Sequence, residues 1–562
     1  MLARVPKWVP NLAGAGMVAA LACALYRPFL GNPFVFDDWT FFSGIGFSYY
    51  ATHPIGMELR TLPFFSLAVT EVLVGGWKAH RTVSLAFHIA CALVLYKLIY
   101  DLLQAASARQ PGAKPGSPTG ATVCASIGAA AFAIHPVAVY GAGYLVQRTI
   151  VFATLFSLLS IVLFARGLRR GSHADAVSAA LVYSLAVLSK EHSILLPGVA
   201  VLTVALVESQ RRFALRHAVL YLAACAPAAI YVTALRTWVI GKAYEPDYSV
   251  VASQIEGVFG HSMADLSLPL SAVTQAGLFF RYLSLWLWPD VQGMSIDIRV
   301  DFFQTWSPGW VALKVSAFAA FGVLGMLLLR RSGRAGLVGF GMLYAWILFL
   351  VEFSAARFQE PMVLYRSYLW APGFLVALAA LLSAAPVRAS LAAGALALPL
   401  LFYQAHDRLT TFSRSLLLWE DAVAKLPEKP VPWGSRTLYM LGREYVYGEQ
   451  PKRAAALADR CLAQYPGSVH CYYARGVIHY IMEEYDQALP YLSRAVELYP
   501  KSGIAHHRLG LILERLGRVR EAKAEYRLAV ELGYGGAKYE IDRLESSQGG
   551  AAGQKGRAAS PH

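Results

Sequence analysis

The sequence predicts an all-α chain in two parts, a polytopic helical membrane domain followed by an α-solenoid, on three observations. Hydrophobic residues make up 56% and charged residues 15% of the 562 positions, and the mean hydropathy is +0.45. Soluble domains use more charge than this, about a quarter of all residues. Apolar runs long enough to cross roughly 30 Å of hydrocarbon recur through the first 404 residues, with basic clusters at every second boundary. Beyond them charged residues spread through helical periodicity, and a fixed repeat emerges.

The first apolar stretch, Leu12 to Leu30, follows a basic start containing Arg4 and Lys7 and lacks an A-x-A-like exit, so it is expected to be a retained signal anchor. Further runs fall near 80–103, 120–138, 147–167, 173–189, 192–208, 217–239, 309–329, 335–353, 368–384 and 388–404, giving about eleven spans. Arg109 and Lys114, then Arg166, Arg169 and Arg170, then Arg211, Arg212 and Arg216, then Arg330, Arg331 and Arg334, and finally Arg388 mark the cytoplasmic boundaries. The parity puts residues 31–79, 139–146, 190–191, 240–308, 354–367 and everything after about 405 on the opposite side. Leu62 to Gly75 and Ala276 to Trp288 are too short to cross and are expected to lie at the interface. The formal charge of +15 resides largely in the short basic segments. It reports topology and membrane lipid rather than a nucleic-acid partner.

The repeat has a period of 34. Gly442, Gly476 and Gly510 are in register, as are Ala454, Ala488 and Ala522, then Pro466 and Pro500, then Ala495 and Ala529. Those offsets are the tetratricopeptide pattern, in which small residues let paired helices pack and proline ends the second helix. Expected domains are a membrane domain at 1–404, a connector with a partial helix at 405–434, a repeat domain at 435–545 and a disordered tail at 546–562. The three repeats lie near 435–468, 469–502 and 503–536. Cys23, Cys91, Cys124 and Cys225 sit in apolar segments as small hydrophobes, whereas Cys461 and Cys471 fall in the repeats, where pairing is open in an oxidising compartment.

The candidate chemistry starts at Asp37 and Asp38, adjacent carboxylates in the aromatic segment Phe34 to Phe42, just outside the first span. Such a pair can cap or hydrate a helix end. It can also supply a general base that takes the proton of an acceptor hydroxyl attacking a sugar carbon. Taken alone, the pair does not separate these readings from metal binding, and a divalent cation is left open.

A dicarboxylate after the first membrane helix resembles the hallmark of the GT-C glycosyltransferases. More closely, the chain resembles the transmembrane and tetratricopeptide-repeat-containing protein O-mannosyltransferase group and its bacterial relatives. The matching segments are Phe36-Asp37-Asp38, Phe132-Ala133-Ile134-His135-Pro136 with Gln147-Arg148 behind it, Ser189-Lys190-Glu191, Pro289 with Asp297, and Arg366-Ser367-Tyr368-Leu369 before Pro372-Gly373. The resemblance runs along almost the whole chain, repeats included. Two positions depart from the family's pattern, with Tyr140 and Tyr365 where glutamate is common.

The resemblance implies a polyprenyl-phosphate sugar donor, an exported protein acceptor and a bacterial inner membrane, with the N-terminus cytoplasmic and the repeats periplasmic. On that reading Asp37 or Asp38 is the base, and Arg148, Lys190, Arg366 and Arg60 are the candidates to hold the donor phosphate. Guanidinium groups suit this role because they bind phosphate in a bidentate manner. His135, Glu191, Tyr365, Asp297 and His53 are candidate substrate contacts, against bland roles as interfacial or ion-paired residues. Trp286, Trp288, Asp290 and Asp301 form a weaker set of sugar-binding candidates in the long external loop. A rival reading is a membrane-anchored repeat scaffold for an envelope or pilus system with a degenerate transferase core. A transporter fits less well, because few acids lie deep in the spans.

Overall fold

A computed structural model describes residues 8–42, 46–53, 58–108, 118–207, 209–242, 267–300, 307–331 and 333–546. Asp301 and the expected tail from residue 547 on lie outside the described residues. Among the described residues the chain is helical without a β-strand, and Ile298 and Met362 form one isolated antiparallel bridge. Two compact units result, one built on the residues before 245 together with Ser267–Asp421, the other on the residues from Ala422 on.

The first unit contains α1 (Trp8–Tyr26), α2 (Asp37–Phe42), α3 (Gly46–Thr52), α4 (Thr61–Leu73), α5 (Gly76–Ala108), α6 (Pro118–Ala133), α7 (Val139–Ala142), α8 (Arg148–Arg170), α9 (His173–Ser189), α10 (Leu196–Leu202) and α11 (Arg211–Leu235). It continues with α12 (Ser267–Leu287), α13 (Pro308–Leu329), α14 (Arg334–Phe349), α15 (Ala371–Leu382), α16 (Val387–Thr411) and α17 (Ser415–Ala424). Among the described residues seven helices are long and apolar enough to cross a bilayer: Asn11–Phe29, Gly76–Ala108, Leu145–Arg170, Arg211–Leu235, Pro308–Leu329, Arg334–Ser354 and Val387–Thr411. An eighth arises if Thr119–Ala133 and Pro136–Ala142, bent by 46° at His135 and Pro136, count as one. Exposed Leu215, Leu327 and Leu396 stud the outer faces of these helices, as lipid contact demands.

The remaining stretches expected to span are shorter. His173–Ser189 has 17 residues, Leu196–Leu202 has 7 and Ala371–Leu382 has 12. At about 1.5 Å per residue, 17 residues fall short of the hydrocarbon thickness. The physical cause lies in the polar and prolyl breaks. After α9 the backbone of Lys190 is extended, Glu191–Ser193 forms a 3₁₀ turn, and Pro197 near the start of α10 favours a fresh helix. Before α15, Leu364–Tyr368 makes a second 3₁₀ turn, and it carries Arg366. α14 and α15 then meet at glycine: a Cβ on Gly341 would collide with the Gly373 carbonyl, and one on Gly373 with the Gly341 carbonyl. Close backbone approach of this kind holds the turn bearing Arg366 against the span bearing Glu352.

The second unit is three helix hairpins: α18 (Gly434–Tyr447) with α19 (Pro451–Gln464), α20 (Val469–Ile481) with α21 (Tyr485–Leu498), and α22 (Gly503–Arg515) with α23 (Val519–Glu531). The periodic alanines are its core, since Ala454, Ala488, Ala495, Ala522 and Ala529 are fully buried. Gly476 accommodates Leu492 and Gly510 accommodates Tyr526 across the hairpins, where an added Cβ would clash. Residues 537–546 form a last helix that lays Ala537 and Leu544 on the third repeat. Cys461 and Cys471 are joined as a disulfide, with their Cα atoms 5.4 Å apart.

Candidate active site

The loop from α1 to α2 is shaped by one arginine. Arg81, one turn into α5, donates through Nε to the Asn32 carbonyl (2.7 Å), through Nη1 to the Gly143 carbonyl (2.6 Å) and through Nη2 to the Pro33 carbonyl (2.5 Å). Asn32 in turn donates to the Leu409 carbonyl at 3.2 Å. Phe36 takes a left-handed backbone (φ 50°), a conformation costly for a non-glycine residue, and sets the chain into α2. Its ring meets Trp419 at 5.2 Å, so the expected partial helix serves as a wall for this loop.

The two carboxylates diverge from there. Asp38 is fully buried. Its Oδ2 accepts from the Val35 amide (3.2 Å) and its Oδ1 from the Val146 amide (2.9 Å). Burial pushes its carboxyl up to about 6 against the lowering effects of Arg81 and the two amides, with Asp37 adding to the rise. Asp37 is exposed. Its amide donates to the Tyr144 hydroxyl at 3.1 Å, and its carboxylate also bonds that hydroxyl. Burial first, then the charges of Asp37 and Asp38, hold Tyr144 well above the usual phenol range, so Tyr144 stays protonated as a donor.

A cationic cluster lies beyond Tyr365. The Tyr144 and Tyr365 rings are 6.5 Å apart, edge to face, and the Lys190 ammonium sits 5.2 Å from the Tyr365 centroid. Lys190 also donates to Gln147 Oε1 at 3.4 Å. Burial, with Arg60 and Arg366 acting in the same sense, brings the Lys190 ammonium down to about 7. Glu191 accepts from Arg60 (2.8 Å) and Arg236 (3.0 Å). Although burial pushes its carboxyl up, Arg60, His192, Lys190 and Arg236 together hold it well below the usual range. The Arg60 amide donates to the Leu188 carbonyl (2.7 Å), which ties the segment before α4 to the end of α9.

Arg366 and Arg357 both reach Glu352, at 3.3 and 3.0 Å, His192 lies 3.4 Å from the same carboxylate, and Glu360 is 3.7 Å from Arg366. Among the described residues this network holds Arg60, Lys190, Arg236, Arg357 and Arg366 against Glu191, Glu352 and Glu360, so the cations described exceed the carboxylates described. Glu191, Arg236 and Arg357, with His192, Thr233 and Ser354, also line a mostly apolar pocket of ≈ 280 Å³ whose other walls include Ile194, Leu195, Val232, Val239, Ile240, Leu350 and Val351.

Of the residues singled out from sequence, the structure brings Asp37, Asp38, Tyr365, Lys190, Glu191, Arg60 and Arg366 together. Arg148 lies behind the carboxylates, within electrostatic reach of Asp38. It is fully buried and donates to Ser84 (3.1 Å), Ser66 (3.2 Å), Thr70 (3.3 Å) and the His80 carbonyl (2.8 Å), and so knits α8 to α4 and α5. His53 is exposed and stacks on Tyr49 at 4.5 Å. His135 accepts from the Val137 amide (3.2 Å) and stacks on Trp286 at 4.2 Å, which makes it a helix-ending residue. Asp297 is buried in an ion pair with Arg299. Arg81, Tyr144, Arg236, Glu352 and Arg357 were missed. An arginine one turn into an apolar span, or a glutamate near the end of one, is a usable signal, because ionisable residues there are rarely idle. Tyr144 offers none.

Among the described residues no group of three or more His, Cys, Asp or Glu side chains could hold a metal ion. Both Asp38 oxygens are taken by backbone amides. The chemistry considered below runs on side chains.

A tetratricopeptide-repeat family profile matches residues 439–502 and 482–537. The C-terminal unit is a tetratricopeptide-repeat solenoid. Among solved structures, that of MamA AMB-1 is 23% identical, with 25% of this chain and 79% of that one covered and a TM-score of 0.19. YrrB, a repeat protein with an unusual peptide-binding site, is 20% identical, with 26% and 77% covered and a TM-score of 0.20. The chain is also similar to the oligosaccharyltransferase AglB of Archaeoglobus fulgidus, solved with an inhibitory peptide and a dolichol-phosphate, at 14% identity and a TM-score of 0.37. That alignment covers 80% of this chain and 59% of the length of AglB. Curated protein sequences give no match.

Proposed function

We propose that the membrane unit is a glycosyltransferase that moves a sugar from a polyprenyl-phosphate donor to a hydroxyl of an exported protein, in a bacterial inner membrane, with the repeats on the periplasmic side. The observation that carries this reading is an exposed carboxylate, Asp37, joined through Tyr144 and Tyr365 to a cluster whose cations outnumber its carboxylates among the described residues, at a mostly apolar pocket.

The reaction is a single displacement. The acceptor oxygen forms a bond to the anomeric carbon as the bond from that carbon to the lipid phosphate oxygen breaks. The acceptor proton goes to Asp37, and the bonding electron pair leaves with the phosphate. Lys190, Arg236 and Arg357 neutralise the charge developing there, the stabilisation that most favours the transition state over the ground state. Asp38 is a positioning residue. Locked by two amides, it fixes the turn that presents Asp37.

The test is transfer measured with a polyprenyl-phosphate sugar and purified full-length protein, alongside intact masses of exported proteins from cells with and without the chain. Asp37→Asn is expected to lower turnover about 10²–10⁴-fold with unchanged protein level. Acceptor masses unchanged after both Asp37→Asn and Asp38→Asn would favour the scaffold reading, and masses equal in cells with and without the chain would refute transfer to an exported protein.

A further inference from the structure

The first helices of successive repeats form one wall, with α18 packed on α20 and α20 on α22. A line of aromatic and cationic side chains crosses it. The Tyr439 ring lies 5.7 Å from His470 and 5.9 Å from Tyr473. Tyr473 bonds the Arg508 guanidinium, and the His507 ring lies 4.9 Å from Tyr534. Besides burial, the groups that act most on Arg508 are Tyr473, Tyr534 and Tyr480. Phenols are neutral near pH 7, and burial pushes Tyr473 up to about 12. They therefore leave the guanidinium charge uncompensated.

Several other arginines of this unit are neutralised within it. Arg475 meets Asp459 at 3.0 Å, Arg494 meets Glu497 at 2.8 Å, Arg518 meets Glu521 at 2.6 Å and Arg543 meets Glu514 at 2.5 Å. Arg508 has no carboxylate within ion-pair distance among the described residues, and its Nε and the Nδ1 of His507 are buried without a hydrogen-bond partner. A half-buried guanidinium among tyrosines is costly unless an anion arrives, and Arg and Tyr are the residues enriched where partners anchor.

We propose that Arg508, with Tyr473 and Tyr534 beside it, is the docking point for a carboxylate on an acidic segment of a partner protein. Arg508 donates to the carboxylate, and the tyrosines supply ring contact and hydroxyl donors at low entropic cost. The proposal rests on the reading of the repeats as a protein-docking wall and is independent of the chemistry at Asp37.

Full-length protein in detergent micelles is titrated into a fluorescein-labelled peptide rich in Asp and Glu, and into the same peptide with every carboxylate replaced by its amide. Fluorescence anisotropy at roughly 0.1 M salt gives both affinities. The acidic peptide is expected to bind at least about tenfold tighter. Arg508→Gln abolishes that preference, whereas Arg518→Gln, whose charge Glu521 neutralises, preserves it. Equal binding of the two peptides, or a preference that survives Arg508→Gln, overturns the proposal. Thermal unfolding checks the fold of each variant. If Arg508→Gln melts, the wild type decides: acidic affinity must fall steeply with salt while amide affinity stays flat, and parallel curves overturn the proposal. Asp37→Asn leaves the acidic preference intact, so loss of transfer and loss of docking are read separately.

Discussion

Two neighbouring carboxylates in the first turn of α2 have opposite environments, and this decides their chemistry. Asp38 is desolvated and clamped, with its carboxyl raised to about 6, while Asp37 is exposed beside a protonated phenol. The clamp requires the ionised form, because a protonated Asp38 gives up acceptor capacity toward Val35 or Val146. Activity is therefore present above about 6 and lost as pH falls through it. Lys190 must be protonated to meet a phosphate, so its contribution is present below about 7 and lost as pH rises. The expected kcat/KM profile is a narrow bell between those values, and the alkaline limb of kcat moves upward because bound phosphate favours the ammonium. Lys190→Arg should remove the alkaline limb, since guanidinium does not titrate there; a bell unchanged in this variant would show that Lys190 is not the group.

Arg148 gives a second prediction at this scale. Its donors are spent on Ser66 and Thr70 of α4 and on Ser84 and the His80 carbonyl of α5. Arg148→Ala should lower the unfolding temperature in detergent and leave the donor KM unchanged, while Arg236→Ala raises that KM roughly tenfold. The reverse pattern would return Arg148 to the phosphate. In the sequence, Asp37, Lys190 and Arg366 were legible because they are charged at span ends. Tyr144 was not, because a tyrosine at a membrane surface is ordinary and only the fold turns its hydroxyl to Asp37.

At the scale of elements, the 34-residue period was legible because each repeat is one hairpin that must bury the same small residues. The long spans were legible from hydropathy alone. The breaks near Lys190 and Arg366 were legible as charged interruptions between apolar runs, whereas their 3₁₀ form and the shortness of the helices beside them were not, because a 3₁₀ turn leaves no periodic mark. Yet these breaks carry Lys190, Glu191 and Arg366. The Gly341 to Gly373 contact fixes one of them. Gly341→Leu should force α14 from α15, lower stability by about 1–3 kcal/mol and reduce turnover through the displaced Arg366 turn. Thermal unfolding and transfer assays on the same preparation check this, and a fully stable, fully active variant would show that the two helices need not touch.

For the whole molecule, the disulfide between Cys461 and Cys471 bears on which side of the membrane the repeats occupy. Disulfides persist in oxidising compartments such as the periplasm and are reduced in the cytosol. The bridge closes a short loop, with a sequence separation of 10, and on chain-entropy grounds it should stabilise the repeats by about 2–3 kcal/mol. Cys91, Cys124 and Cys225 are buried in the membrane unit, so a polar maleimide applied to intact cells reports chiefly on the repeats and on exposed Cys23. In a Cys23→Ser background, little label is expected before reduction and two equivalents on the repeats after it. Labelling of Cys461 and Cys471 without reductant would show reduced thiols, and it would remove the support that the bridge gives to a periplasmic repeat domain. Because the proposed reaction brings an exported acceptor to Asp37, that result would also count against a protein acceptor carried to it by the repeats, while leaving the carboxylate and its cationic cluster free to act on a different hydroxyl.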